Sequence, residues 1–157
     1  MSATMSQLQI KPLERLVVND GLLLTAQLWQ QAHDYHRQRQ NIYYQSLHQP
    51  GIVSGLGVCL IEPPTEIAGL YKDKRWLEIQ PGIAIDAKGN PIVVPQQLAY
   101  RISSEEPKKG FLTVYVVGEY VDPEHLINNN RQCIQETFRI NENTPAQEAN
   151  EIELCRI

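Results

Sequence analysis

The sequence predicts an α+β domain: an N-terminal extended arm and one long helix, followed by an antiparallel β-sheet or sandwich of about six strands. Three observations carry this expectation. Large polar and aromatic side chains keep helical spacing from Thr25 to about His48 and stop at Pro50-Gly51. Beyond Gly51 the apolar residues come instead in short β-branched runs separated by Pro and Gly. No fixed-period repeat or low-complexity linker intervenes, and 157 residues suit one domain, which at this size buries roughly 70% of its unfolded surface. The expected division is an arm over residues 1–21 and a single helix-plus-sheet domain over 22–157.

Residues 1–10 are polar and featureless, and Ile10-Lys-Pro-Leu-Glu-Arg-Leu-Val-Val-Asn19 is an extended apolar stretch that orders only against something else. Asn19-Asp-Gly21 ends this arm in a turn. Thr25 is placed to cap a helix, with Leu24 and Trp29 at the two positions of a hydrophobic staple. Leu28, Ala32, Tyr35 and Ile42 then follow helical spacing, with Trp29, His36, Tyr43 and Leu47 beside them, until Pro50-Gly51 stops the helix. Ile52-Val-Ser-Gly-Leu-Gly-Val-Cys-Leu-Ile61 reads as a central strand, in which Gly55 and Gly57 mark a bulge or the close approach of another backbone.

A Pro-rich loop from Glu62 and a charged tip at Lys72-Asp-Lys74 lead to the strand Arg75-Trp-Leu-Glu-Ile-Gln80. Pro81-Gly82 bends it, Ile83-Ala-Ile85 continues it, and Asp86-Ala-Lys-Gly-Asn90 turns it into a hairpin with Pro91-Ile-Val-Val94. Leu98-Ala-Tyr-Arg-Ile102 is a further strand, followed by an exposed stretch over 103–110. Phe111-Leu-Thr-Val-Tyr-Val-Val117 is the strongest β-forming run and belongs at a sheet centre. Residues 121–130 read as a loop with room for one helical turn, Gln132-Cys-Ile-Gln-Glu-Thr-Phe-Arg-Ile140 as a strand, and 141–150 as a polar loop. In Glu151-Ile-Glu-Leu-Cys-Arg-Ile157, alternation sets Ile152 and Leu154 opposite Glu151, Glu153 and Cys155. That apolar ending fits a trimmed chain or a strand given to a partner's sheet.

Composition narrows the function by exclusion. With 42% hydrophobic, 20% charged and 7% aromatic residues the chain is globular, and a net charge of −4 with scattered Lys and Arg lacks the basic face that nucleic acid requires. Cys59, Cys133 and Cys155 have no C-x-x-C spacing and are odd in number, so they read as small buried hydrophobes in a reducing compartment. The first ten residues lack a basic-then-apolar signal, and no apolar run approaches the roughly 20 residues that cross a bilayer. A cytoplasmic location is expected, with any membrane association running through partner proteins.

No catalytic constellation can be assembled from these residues, and no cofactor is expected. His33 and His36 are neighbours on the helix with Asp34 beside them, but a metal site needs a third and usually a fourth ligand, and His48 is about three turns away. Asp86 opens a turn, where Asp serves its own backbone, so it does not read with Glu78 or Asp73 as paired hydrolytic carboxylates. Ser54 lacks a G-x-S-x-G frame, and no His is aimed at Cys59. The glycines of residues 51–57 lack the Lys-Ser/Thr of a phosphate loop and run from helix to strand, the reverse order.

The helix is amphipathic yet dominated by Gln, His, Arg and Tyr. Such a surface suits either contact with another chain, where aromatic and Arg anchors are enriched, or a solvated helix lying on a sheet. Trp29, His33, His36, Arg37, Arg39, Tyr43 and Tyr44 are its interface candidates.

The runs Asn19-Asp-Gly-Leu-Leu-Leu-Thr-Ala-Gln-Leu-Trp29, His33-Asp-Tyr-His-Arg-Gln-Arg-Gln-Asn41 and Leu47-His-Gln-Pro-Gly-Ile-Val-Ser-Gly-Leu-Gly-Val58 resemble baseplate-associated proteins of phage-tail-like contractile injection systems, particularly those of cyanobacterial type. Leu77-Glu-Ile-Gln-Pro-Gly-Ile-Ala-Ile-Asp-Ala-Lys-Gly-Asn-Pro-Ile-Val-Val94 extends the likeness with a strand, Pro-Gly, Ala-x-Asp, x-x-Gly, strand hairpin. The resemblance spans residues 19–94. Ser54 stands where the family pattern often has Cys, and Glu153-Leu-Cys-Arg156 is the one match in the last third. It implies a non-enzymatic structural subunit, present in multiple copies and in contact with baseplate, sheath or tube-associated subunits. The alternative from the residues alone is a free-standing β-rich module that binds a glycan or small ligand on loops 62–74 and 122–131.

Overall fold

The computed structural model describes residues 12–67, 69–105, 112–122, 135–143 and 150–157. Among the described residues, one helix, α1 (Ala26–Leu47), is followed by nine strands: β1 (Gly51–Gly55), β2 (Val58–Ile61), β3 (Trp76–Ile79), β4 (Gly82–Ile85), β5 (Pro91–Val94), β6 (Leu98–Arg101), β7 (Tyr115–Val121), β8 (Thr137–Asn143) and β9 (Glu151–Arg156). They form three antiparallel sheets of three strands, in the orders β1-β4-β5, β2-β3-β6 and β8-β7-β9. The α+β class with one long helix and antiparallel sheets is therefore as the sequence predicts.

The first two sheets are one ribbon bent in the middle. β1 and β2 run one after the other along β4 and β3, and β5 and β6 line the other side of the same pair. The nine strands thus lie on six tracks, three of which break at a common corner. At that corner Gly55 has φ +68° and Leu56 φ +58°, a left-handed pair that turns the chain from one sheet into the next. A Cβ on Gly55 would stand 2.1 Å from the Pro81 carbonyl oxygen, and one on Gly82 would stand 2.4 Å from both Leu56 N and the Ser54 oxygen. Leu56 N donates to the Pro81 oxygen at 3.2 Å and Gln80 N to the Gly57 oxygen at 2.8 Å, so the two tracks remain paired through the bend.

Bending the ribbon lets both halves face one core. Leu77 and Ile79 of β3, Ala84 of β4, Ile92 and Val94 of β5, Val116 of β7 and Ile152 of β9 join Leu56 and Ile102 in one buried cluster. The third sheet packs on the first, with the backbone of Gly118 facing the Ile92 side chain. Trp76 is buried from the opposite side, where its Nε1 donates to the Tyr71 oxygen of a 3-10 turn (Gly69–Tyr71) at 2.8 Å. Arg101 clamps the same segment through Asp73, and its guanidinium holds that carboxyl below the usual range.

Glu142 ties the third sheet to the second. Its carboxylate accepts from the amides of Ser103 (2.6 Å) and Ser104 (2.9 Å), from both serine hydroxyls and from the Tyr100 hydroxyl (3.0 Å). Burial works against its charge, but the serine hydroxyl and amide donors outweigh it and hold the carboxyl at about 2 instead of 4.5.

Several expectations change. The track from Ile52 to Ile61 is an edge in both sheets, not a central strand, since β1 and β2 each end their sheet order. β-branched content signals a pleated surface, not full burial. Cys59 on that edge is exposed and Cys155 is half-buried, while Cys133 lies outside the described residues. The strong run ahead of Val117 starts its strand at Tyr115 and does occupy the centre of the third sheet. The strand ending at Ile140 runs on to Asn143, into the stretch expected as loop. In β9 the alternation slips at Leu154, because Val116 faces Cys155 while Val117 faces Glu153. Leu154 and Cys155 accordingly both pack on the core.

Gly55→Ala and Gly82→Ala should each cost about 2 kcal/mol or more, because no backbone can move without opening the corner, whereas Gly57→Ala stays within about 0.5 kcal/mol. Urea unfolding midpoints of the three variants check this. Glu142 contributes stability that is complete above pH 4.5 and lost as pH falls toward about 2. Glu142→Gln should thus lower stability at neutral pH and flatten the acid branch of a thermal-midpoint profile.

Candidate functional site

The helix begins and ends where the sequence places its signals. Thr25 Oγ1 accepts from Leu28 N at 3.3 Å, and His48 N closes the last turn on the Tyr44 oxygen at 2.9 Å. Yet none of its 22 residues is buried. Residues 12–24 run beside its first half, where Leu28, Ala32 and Tyr35 are half-buried. Arm and helix enclose a concavity of about 370 Å³ lined by Leu16, Val18, Leu22, Leu24, Trp29 and Ala32 among others. The predicted staple residues Leu24 and Trp29 both line it.

The helix meets the rest of the domain through a polar stripe. Asn41 donates its amide to Asn90 Oδ1 at 3.0 Å, Gln45 donates to the Lys88 oxygen, and Arg37 lies 3.6 Å from Asp122. These three residues are spaced by four and share one face. Asn41 and Gln45 are received by the β4–β5 turn, which Asp86 builds, and Arg37 by Asp122 just after β7. Asp86, 3% exposed, accepts from Lys88 N and Asn90 N at 2.8 Å and from Asn90 Nδ2 at 2.9 Å. Because Asn90 spends its amide nitrogen on Asp86, its oxygen is left to accept from Asn41. Gly89, at φ +82°, lies against the helix backbone, and a Cβ there would be 2.4 Å from the Asn41 carbonyl oxygen. Asp86 is thus a structural turn residue, as read from the sequence.

This arrangement inverts the usual amphipathic helix, whose apolar stripe faces its own core. Trp29, His36, Tyr43 and Leu47 recur on a face about a third of a turn from the Arg37–Asn41–Gln45 stripe. Trp29 is 55% and Tyr43 61% exposed, and Ile42 and Leu47 are exposed as well. The arm adds exposed Val17, Val18, Leu22, Leu23 and Leu24. The helix thus touches its domain at the β4–β5 turn and leaves its apolar side chains exposed.

The seven candidates separate on inspection. Trp29, His33, His36, Arg37, Arg39 and Tyr43 are exposed. His33 sets its ring edge-on to Trp29 at 5.2 Å, and His36 does the same to Tyr35. Each imidazole is thus held by an aromatic neighbour. Arg37 binds Asp34 at 3.2 Å as well as Asp122, so it serves the chain's own docking stripe. Tyr44 is half-buried, with its hydroxyl accepting from Gln40 Nε2 at 3.2 Å. Leu22, Leu23, Leu24 and Leu47 were not named as interface candidates from the sequence, because Leu at helical or extended spacing reads as core. Among the described residues, no three of His, Cys, Asp and Glu stand close enough to hold a metal ion. Of the two loops considered for a ligand, the first is clamped by Asp73 and Trp76, and the second lies outside the described residues but for Asp122. No family model matches the chain, and the sequence of no curated protein matches it.

Gly89→Ala should detach the helix from the turn while sparing the core, since it adds both a clash and left-handed strain. Amide exchange is expected to quicken on residues 37–47 by roughly tenfold or more, with β7 unchanged. Equal acceleration in β7 would show that the helix is part of the cooperative core.

Proposed function

We propose that this chain is a structural subunit of a phage-tail-like contractile injection system, in or beside its baseplate, and that it acts through protein–protein contacts. The observation that carries the reading is the inverted helix: its polar stripe is spent on its own domain, and its aromatic and aliphatic side chains face outward beside an apolar arm. Contiguous exposed apolar surface of this kind on a small protein marks a partner interface. Trp29 and Tyr43 have the size, amphipathic character and position of central anchors. The resemblance of residues 19–94 to baseplate-associated proteins supplies the kind of assembly. The partners are then other injection-system subunits, and the working location is the cytoplasm. Among the described residues, no helix is long and apolar enough to cross a membrane.

A tagged copy in the native host should sediment with sheathed tubular particles, and a reconstruction should show Trp29 and Tyr43 buried. Trp29→Ala and Tyr43→Ala should each reduce incorporation by about tenfold or more. Because both side chains are exposed in the free chain, its thermal midpoint should hardly move. Recovery of both variants in particles at the level of the parent chain would refute this use of the helix.

A further inference from the structure

We propose that the outer edge of β2 accepts an extended strand from another polypeptide, with Leu60 as the apolar anchor of that contact. The inference rests on the assembly reading only for where such a strand would come from. β2 ends the order β2-β3-β6, so among the described residues one of its sides faces no neighbour in the sheet. Which of its backbone groups point that way follows from the register. Gln80 N donates to the Gly57 oxygen, making 57 and 80 a bonded pair, and Val58 then faces Ile79, Cys59 faces Glu78, Leu60 faces Leu77 and Ile61 faces Trp76. Bonded and non-bonded pairs alternate along an antiparallel ladder. Cys59 and Ile61 therefore turn their N–H and C=O groups toward β3, and Val58 and Leu60 turn theirs outward. Among the described residues, no backbone group pairs with these.

The side chains agree with the backbone. Leu60 lies on the same face as its cross-strand partner Leu77, the core face, yet Leu60 is 72% exposed where Leu77 is 2% exposed. The row of core residues thus stops one strand short of being covered. Edge strands are ordinarily protected by a charge, a proline or a bulge. β1 has a bulge between Ile52 and Ser54, but Val58-Cys-Leu-Ile61 has none of these devices. The far edge of the same sheet is tied at its end by the Glu142 contacts described above.

The open donors and acceptors identify the occupant as a β-strand, since they alternate at the spacing of an extended chain and need a partner of the same repeat. An apolar residue of that strand beside Leu60 continues the core row. A second copy of this chain fits poorly. Antiparallel self-pairing that matches the outward groups, Val58 against Leu60 of the copy, brings Pro63 and Pro64 of the copy alongside Gly55 and Ser54, and proline has no N–H to donate. A free segment is not tied to that proline register, and beyond the corner Ile52, on the core face opposite Ala84, is exposed as well.

Amide exchange resolved to single residues tests this, on the isolated protein and on the tagged protein recovered in whatever complexes it forms in the native host. In the isolated protein, Cys59 and Ile61 should be protected while Val58 and Leu60 exchange freely; in the complex, Val58 and Leu60 should slow by about tenfold or more. Leu60→Pro, which removes an outward N–H and leaves the ladder to β3 intact, should keep the thermal midpoint and cut recovery in the complex by about tenfold. Complexes in which Val58 and Leu60 still exchange freely would overturn the docking edge and leave the assembly reading standing. Tagged protein found only as a free monomer would overturn both. Protection of Val58 and Leu60 that grows with concentration of the isolated protein would make a second copy the occupant and overturn the proposal.

Discussion

The contact of Gly55 with Gly82 is the constraint on which the rest of the fold depends. Two backbones cross there at a separation that leaves no room for a single methyl group on either. The crossing allows one ribbon to supply two sheets, and without it Leu77 and Ile79 on one half could not face the same interior as Ala84 and Ile92 on the other. The bend has a conformational cost at Leu56, a buried leucine at positive φ, where such residues are disfavoured by about 1–2 kcal/mol. Burial of the Leu56 side chain offsets that cost by a similar or larger amount. Strain and core formation are thus coupled at one residue.

A second constraint follows at the other end of β4. Asp86 satisfies the turn amides and fixes Asn90, which in turn receives Asn41, so the helix is held by a relay of hydrogen bonds that starts in a buried carboxylate. Polar attachment of this kind gives little stabilisation, each bond contributing about 1 kcal/mol. Its consequence is geometric: it fixes the azimuth of the helix so that Trp29, His36, Tyr43 and Leu47 point away from the domain. The arm, the outward helix face and the open edge of β2 are all surfaces on which apolar groups remain after the chain has satisfied its own core.

Local chemistry was legible in the sequence. Thr25 as cap, Pro50-Gly51 as stop, and Asp86 with Gly89 in a hairpin turn each act over four or five residues, and each is found where the residue types put it. The strands β3 to β6 are found as read, within a residue or two, because Pro81-Gly82 and the 86–90 turn bound them in the sequence itself. The interface candidates divided less cleanly. Trp29 and Tyr43 were recognisable as large amphipathic groups, but Arg37 looked the same and turned out to face Asp122, a residue 85 positions away.

The sequence by itself determined the class, the helix and its limits, and the hairpin. Tertiary structure alone decided that the track from Ile52 to Ile61 is an edge, that three tracks bend together, and that the helix docks by its polar side. The physical reason is one of range. Propensity, capping and turn geometry depend on neighbours in the chain, whereas exposure depends on what distant segments cover: Gly82 for Gly55, Gly89 for Asn41, and for Leu60 no described residue of this chain. Periodicity records that a side chain is apolar and which way it alternates, but only the packed chain shows whether anything lies against it.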